Sequence, residues 1–296
     1  MTVLRDDCEV LVGRALTGEE IVLDLISEAH WLVTGQTRSG KSVFLYSLLS
    51  QLARFPHVRV VGVDFSQLLL RPFARRFSEP WIVQDGANLA DAVGFLEELK
   101  AEMDHRNRYL AGTMSDKYDQ FAPRFPLIVA VMEEYPGTIA RIKQFDASAK
   151  RDEKLLPRFQ SLVSSLMAES AKAGIRLILI AQRPDADIVG GAARENMPVR
   201  IAFKQAGQEA YRMMYPDIDV AEVETVKAQP PGVGMIETPR LARKVFKGPF
   251  VKTDAYLRHV QSCDLSYMRD LDIDKKFRLT VANEWPEIGD PDGSPF

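Results

Sequence analysis

Gly35-Gln36-Thr37-Arg38-Ser39-Gly40-Lys41-Ser42 reads as Gly-x-x-x-x-Gly-Lys-Ser, and this stretch decides the fold. Trp31, Leu32 and Val33 ahead of it make an apolar strand pattern. Behind it Val43, Phe44, Leu45, Leu48, Leu49 and Leu52 recur at helical spacing. A strand, a glycine-bearing loop and a helix in that order form a phosphate loop. Glycine lets successive backbone N–H groups curl toward an anion, and the helix adds its positive N-terminal end. Lys41 is placed to neutralise β- and γ-phosphates, and Ser42 to ligand Mg²⁺. The run from Gly35 through Ser42 and on to Val43 is therefore the expected nucleotide cradle.

Working outward, short β-rich runs alternate with amphipathic stretches. Strands are expected over residues 21–25, 31–34, 58–64, 127–132, 177–181 and 199–203. Four of these are nearly continuous apolar runs, as in parallel strands covered on both faces. Helices are expected over 88–110, with Leu89, Val93, Leu96, Leu99 and Met103 on one face, and over 155–173, ended by Gly174. The alternation predicts an α/β fold with right-handed crossovers. Pro230-Pro231-Gly232 and Gly234 are read as a turn.

A phosphate loop needs an acidic partner at a neighbouring strand end, and Leu127-Ile-Val-Ala-Val-Met132 runs straight into Glu133-Glu134. Ligands of open α/β sheets bind at that edge. By position Glu133 takes the metal role and Glu134 polarises the attacking water. Gln182, at the tip of the run 177–181, is placed to feel the γ-phosphate or the lytic water.

The 296-residue chain carries 38 basic and 41 acidic residues, a net charge of −3, so it is not a globally basic nucleic-acid binder. A local basic lining would still suffice for DNA. Its two cysteines, Cys8 and Cys263, form no disulfide framework, which fits a reducing compartment. No signal peptide or run of membrane-spanning length is read, so action at a membrane would need a partner or a further segment. Residues 264–296 hold eight acidic and four basic residues, and residues 261–296 are expected to be a poorly ordered acidic tail after a motor domain over 1–260. Asp270, Asp272 and Asp274 fail as a calcium loop, because Lys275 and Val281 stand where glycine and glutamate are required. His30, His57, His105 and His259 lack metal-ligand spacing. Residues 140–159 carry a net charge of +3 and are the expected DNA-facing segment, against the plainer reading of a solvated helix face. Arg71, Arg75 and Arg76, with Phe73 and Phe77 interleaved, make a second basic patch.

Several further motifs carry a resemblance. His30-Trp-Leu-Val-Thr34, Glu102-Met-Asp-His-Arg106, Glu133-Glu134, Ala173-Gly-Ile-Arg176, Ala181-Gln-Arg-Pro184 and Asn196-Met-Pro-Val-Arg-Ile-Ala-Phe203 together resemble the motor domain of the FtsK/SpoIIIE family, over residues 10–260. The resemblance implies a RecA-like P-loop NTPase with a mostly parallel central sheet flanked by helices. It implies ATP and Mg²⁺ as ligands, hydrolysis at subunit boundaries of a homo-hexameric ring, and double-stranded DNA threaded through the pore. It also implies an arginine acting on a neighbour's nucleotide, with Arg200 the first candidate and Arg183 the second. Three departures stand out: Glu133 for the usual aspartate, Arg38 for a usual glycine, and Asp64-Phe65-Ser66 for the usual Asp-Pro-Lys. A single motor with these departures looks most like the transfer proteins of actinobacterial plasmids and integrative elements. That places it in the cytoplasm, with recruitment to the inner face of the membrane by a membrane-anchored partner. The alternatives are a type VII secretion ATPase, which moves proteins, and a nucleotide-dependent scaffold without translocation.

Overall fold

The computed structural model describes residues 8–74, 82–84, 89–118, 121, 125–184 and 195–263. Ten strands form one sheet: β1 (Glu9–Ala15), β2 (Glu20–Asp24), β3 (Trp31–Thr34), β4 (Val58–Asp64), β5 (Ile82–Gln84), β6 (Leu127–Met132), β7 (Ile175–Ala181), β8 (Val199–Phe203), β9 (Val233–Thr238) and β10 (Leu241–Lys247). Their order is β2-β1-β10-β9-β8-β3-β7-β6-β4-β5. From β8 to β5 every neighbouring pair is parallel, and from β8 back to β2 every pair is antiparallel. The helices are α1 (Lys41–Leu52), α2 (Arg71–Ala74), α3 (Leu89–Gly112), α4 (Tyr135–Asp146), α5 (Leu156–Glu169), α6 (Gln208–Met214), α7 (Val220–Lys227) and α8 (Thr253–Ser262). The fold is thus RecA-like α/β.

The parallel strands are buried along their whole length, which is why they read as unbroken apolar runs. Alternate residues feed two separate cores. Ile128, Ala130 and Met132 of β6 join one core with α3, α4 and α5. Leu127, Val129 and Val131 join the other, with α1 and α8. Each fully buried Val, Leu or Ile contributes on the order of 1.5–3 kcal/mol, so this two-sided burial holds the central strands between the two helical layers.

The strands β1, β5, β9 and β10 were not expected from the sequence. β10 carries Arg243, Lys244 and Lys247 and is only partly buried, so it shows no apolar run. Gly234 is not a turn residue; it lies in β9, where its missing side chain leaves room for the Ala202 carbonyl and the Phe203 ring of β8. Phe73 is not an exposed partner of the basic patch either: it is 2% exposed, inside the α1–α8 core. Arg75, Arg76 and Phe77 lie outside the described residues, as do residues 264–296 of the expected tail.

Several motif residues turn out to brace this frame. Arg106 pairs with Glu102 at 2.6 Å, both 1% exposed, and donates to the carbonyls of Pro126 and Ala173, each at 3.0 Å. It thereby bolts α3 to the entries of β6 and β7. Arg176 donates to the carbonyls of Leu25, Ile26 and Ala171. The buried His30 accepts from the Leu177 N–H through Nδ1 at 3.0 Å, and burial together with nearby Arg176 pushes its pKa down to about 3.

Candidate active site

The parallel register brings three strand ends to one edge. Thr34 of β3 lies opposite Ala181 of β7 and Ala202 of β8, and Met132 of β6 lies opposite Leu179. β7 therefore separates the phosphate-loop strand from the acidic strand. The gap between them is a cleft of about 640 Å³, lined by every residue from Gly35 through Val43 together with Glu133, Glu134 and Gln182. All of the residues expected around the nucleotide on the phosphate loop and the two carboxylates thus meet in one place; Arg200 does not.

The loop is anchored at both ends by backbone bonds. The Gly35 N–H donates to Ala181 and the Gln36 N–H to Lys204, at 3.2 and 3.0 Å. Gly40 takes φ 95°, in the left-handed region that favours glycine. A Cβ there would sit 2.3 Å from the Gly232 nitrogen, and that nitrogen donates to the Ser39 carbonyl at 2.8 Å. The turn before β9 is therefore a brace under the phosphate loop. Arg38 also takes a positive φ, 65°, the conformation that explains why glycine suits this position.

Lys41 is 8% exposed and donates from Nζ to the Ala181 carbonyl at 2.9 Å. Its ammonium lies 3.8 Å from Glu134 Oε2. Burial lowers the Lys41 pKa, and Glu134 and Glu133 oppose the shift. Glu134 caps α4 with φ 46° and ψ 58°, a strained setting for a non-glycine residue. Its Oε1 accepts the Gln182 N–H at 3.4 Å. So Lys41, Glu134 and Gln182 form one chain of contacts across three elements.

Glu133 has its pKa raised to about 7, first by burial and then by Asp64 and Glu134, against the pull of Lys41. Asp64, fully buried at the end of β4, accepts from the Ser66, Leu69 and Leu70 amides and the Ser66 hydroxyl, and so shapes the loop after β4. Glu133, Glu134 and the exposed Ser42 line the same cleft, and oxygen donors of this kind fit a hard divalent cation.

The arginines expected to act in trans sit differently. Arg200 points away from the cleft, into a cluster with Glu237 at 3.5 Å and the Met197 and Met214 carbonyls. Arg183 is exposed just past Gln182. Within the segment 140–159, Arg141 lines the nucleotide cleft, Arg158 pairs with Glu97, and Asp146 caps the first amides of α5. Arg141, Thr138 and Pro231 are cleft residues that the sequence reading did not assign to the site. Only helical spacing from Glu134 could have signalled the first two.

Comparison with known proteins gives the family and the fold. A model of the FtsK/SpoIIIE family matches residues 3–184. The chain is 26% identical over 215 residues to the "DNA translocase FtsK" of Borreliella burgdorferi, covering 69% of this chain and 26% of that protein. It is 27% identical over 218 residues to that of Staphylococcus epidermidis, covering 68% and 25%. The chain thus spans about a quarter of the length of these curated relatives. Among solved structures, the pCW3 conjugation coupling protein TcpA, in a monomer form with ATPγS, superposes with a TM-score of 0.65 at 23% identity, over 84% of this chain and 67% of that one. EssC (ATPases 2 and 3) from Geobacillus thermodenitrificans gives 0.69 at 13% identity, over 91% and 51%.

Proposed function

The chain belongs to the FtsK/SpoIIIE family, and from that premise we propose that it is an ATP-driven motor that translocates double-stranded DNA. The observation that carries the reading is the convergence of Lys41, Glu134 and Gln182 on one cleft. The phosphate loop amides and Lys41 hold the triphosphate. Ser42 and Glu133 would hold Mg²⁺, which when bound draws charge from the β- and γ-phosphate oxygens. Glu134 takes a proton from water as the water oxygen bonds to the γ-phosphorus and the bond to the β-phosphate oxygen breaks. Gln182 hydrogen-bonds to Glu134, so the tip of β7 senses whether a γ-phosphate separates them.

A ring of copies, six by kinship, would place each cleft against a neighbour. In such a ring Arg183 is exposed and available to that neighbour, whereas Arg200 would first have to leave Glu237. The proposed organisation is a motor over residues 1–260 and an acidic tail over 261–296. Use in conjugative transfer, in the cytoplasm with recruitment by a membrane-anchored partner, extends the same reading. Among the described residues no helix is long and apolar enough to cross a membrane. The fold is also shared with the cytoplasmic domain of the type VII secretion ATPase EccC of Thermomonospora curvata, and protein transport is the second reading.

The test is steady-state ATP hydrolysis with and without linear duplex DNA, with Lys41→Ala as the blank. Duplex DNA should stimulate turnover several-fold, and Glu134→Gln should bind ATP with little turnover. Turnover indifferent to DNA would reject the translocase in favour of protein transport or a scaffold. Equal turnover in Glu134→Gln and the wild type would reject the base assignment.

A further inference from the structure

Glu134, Gly137, Thr138 and Arg141 all line the cleft. They fall at i, i+3, i+4 and i+7, so one face of α4 runs along the cleft from the N-cap Glu134 to Arg141. Helical side chains lean toward the N-terminus of their helix. Arg141 therefore leans back toward Glu134, where a terminal phosphate would lie, and not outward along α4.

Its present contact is weak and replaceable. The guanidinium sits over the Phe65 ring, 5.4 Å from the centroid. Among the described residues it has no carboxylate partner, unlike Arg158, Arg200, Arg212 and Arg243. A cation over a ring at an exposed site is held less strongly than one bonded to an anionic oxygen. Among the described residues, then, its N–H donors meet no anionic oxygen.

The charge inventory points the same way. The cleft lining holds three cations, Arg38, Lys41 and Arg141, against Glu133 and Glu134, with Asp64 close behind. Lys41 meets the phosphates from the loop side, beside Glu134 and the Ala181 carbonyl. A triphosphate with its metal still carries negative charge, and the cations without a carboxylate partner are the groups left to meet it.

We propose that Arg141 is a phosphate-contacting residue that leaves the Phe65 ring for the terminal phosphate of a bound nucleoside triphosphate. The inference rests on the reading of this cleft as an ATP site. Because Arg141 and Glu134 share α4, the contact ties the helix to the presence of the γ-phosphate. On hydrolysis and phosphate release Arg141 returns to Phe65. The basic stretch that continues from α4 is then released with each turnover.

The test is displacement of a fluorescent ADP analogue from the full chain by ATPγS and by ADP. It is run on the wild type, Arg141→Ala, Arg141→Lys and Phe65→Leu. Arg141→Ala should lower the preference for triphosphate over diphosphate by about ten-fold, the effect of losing one charge-assisted bond. ADP affinity and the melting temperature should stay at wild-type values, since Arg141 is exposed. Arg141→Lys should restore part of the preference, and Phe65→Leu should retain all of it. An unchanged preference in Arg141→Ala, or an equal loss for both nucleotides, would overturn the inference. A wild type that binds neither nucleotide refutes the ATP site itself, and the inference with it.

Discussion

Replacing Gly40 by alanine should disable nucleotide binding without unfolding the chain, and Gly232→Ala provides the internal comparison. Both glycines have positive φ, 95° and 86°. A non-glycine residue in that region costs about 1–2 kcal/mol. The surroundings then separate the two sites. A Cβ on Gly40 would meet Gly232 backbone at 2.3 and 2.5 Å, and backbone cannot rotate aside. The loop must retreat, which sacrifices the 2.8 Å bond from the Gly232 N–H to the Ser39 carbonyl, a further 0.5–1.5 kcal/mol or so. The sum, about 1.5–3.5 kcal/mol, leaves roughly one loop in 10 to 300 in the competent shape, and apparent affinity falls by that fraction. A Cβ on Gly232 meets only the tip of Lys247, at 3.3 Å, which can swing away. Gly232→Ala should therefore lower global stability by about 1–2 kcal/mol and leave nucleotide affinity nearly unchanged. Titration with a fluorescent nucleotide, paired with urea unfolding, reads both quantities. Wild-type affinity in Gly40→Ala, or equal loss of affinity in the two variants, would refute the brace.

Arg106→Leu should cost about 3–5 kcal/mol in urea unfolding, because it strands the 1% exposed Glu102 without its partner; the double variant Arg106→Leu/Glu102→Leu should recover part of that loss. Arg38→Gly should raise stability by about 0.5–1 kcal/mol, the relief of a positive φ less the entropy of glycine; a lower urea midpoint would contradict it. The folded pKa of His30 lies near 3, below its unfolded value of 6.5, so the unfolded chain binds its proton first as pH falls. Stability from this group is complete above about pH 6.5 and declines from there toward pH 3, by roughly 2 kcal/mol at pH 5. His30→Asn should flatten that slope, and an identical slope would show that His30 is not held neutral.

The parallel strands other than β5 were legible because burial on both faces erases polar interruptions, as in Leu127–Met132. The phosphate loop and Glu133-Glu134 were legible because their residue types are dictated by phosphate and metal chemistry. Of the antiparallel strands β2, β1, β10 and β9, only β2 was legible. In β10, Lys and Arg sit on a partly covered face, and its pairing with β1 joins segments far apart in the chain, although β9 and β10 themselves form a local hairpin. The brace between Gly40 and Gly232 likewise joins segments far apart in the chain, so Pro230-Pro231-Gly232 showed only as a turn. Arg141 was grouped with its basic neighbours by composition, whereas its face of α4 is set by helical phase from Glu134.

The distribution of arginines explains why the most specific motifs said least about chemistry. Arg106 ends on backbone carbonyls at the entries of β6 and β7, Arg176 on carbonyls just past β2, and Arg200 on Glu237 and two carbonyls. Each satisfies carbonyls at the ends of strands or helices, so each is fixed by the frame. The cleft uses the opposite logic. Arg38 and Arg141 line it without a carboxylate partner among the described residues, and Lys41 is held near Glu134 at 3.8 Å, looser than a tight ion pair. Tightly bonded cations hold the strand ends in register, and loosely held ones are left for the phosphates. The same residue type therefore serves as scaffold or as ligand-binding group according to whether its partner is supplied by the chain or by the nucleotide.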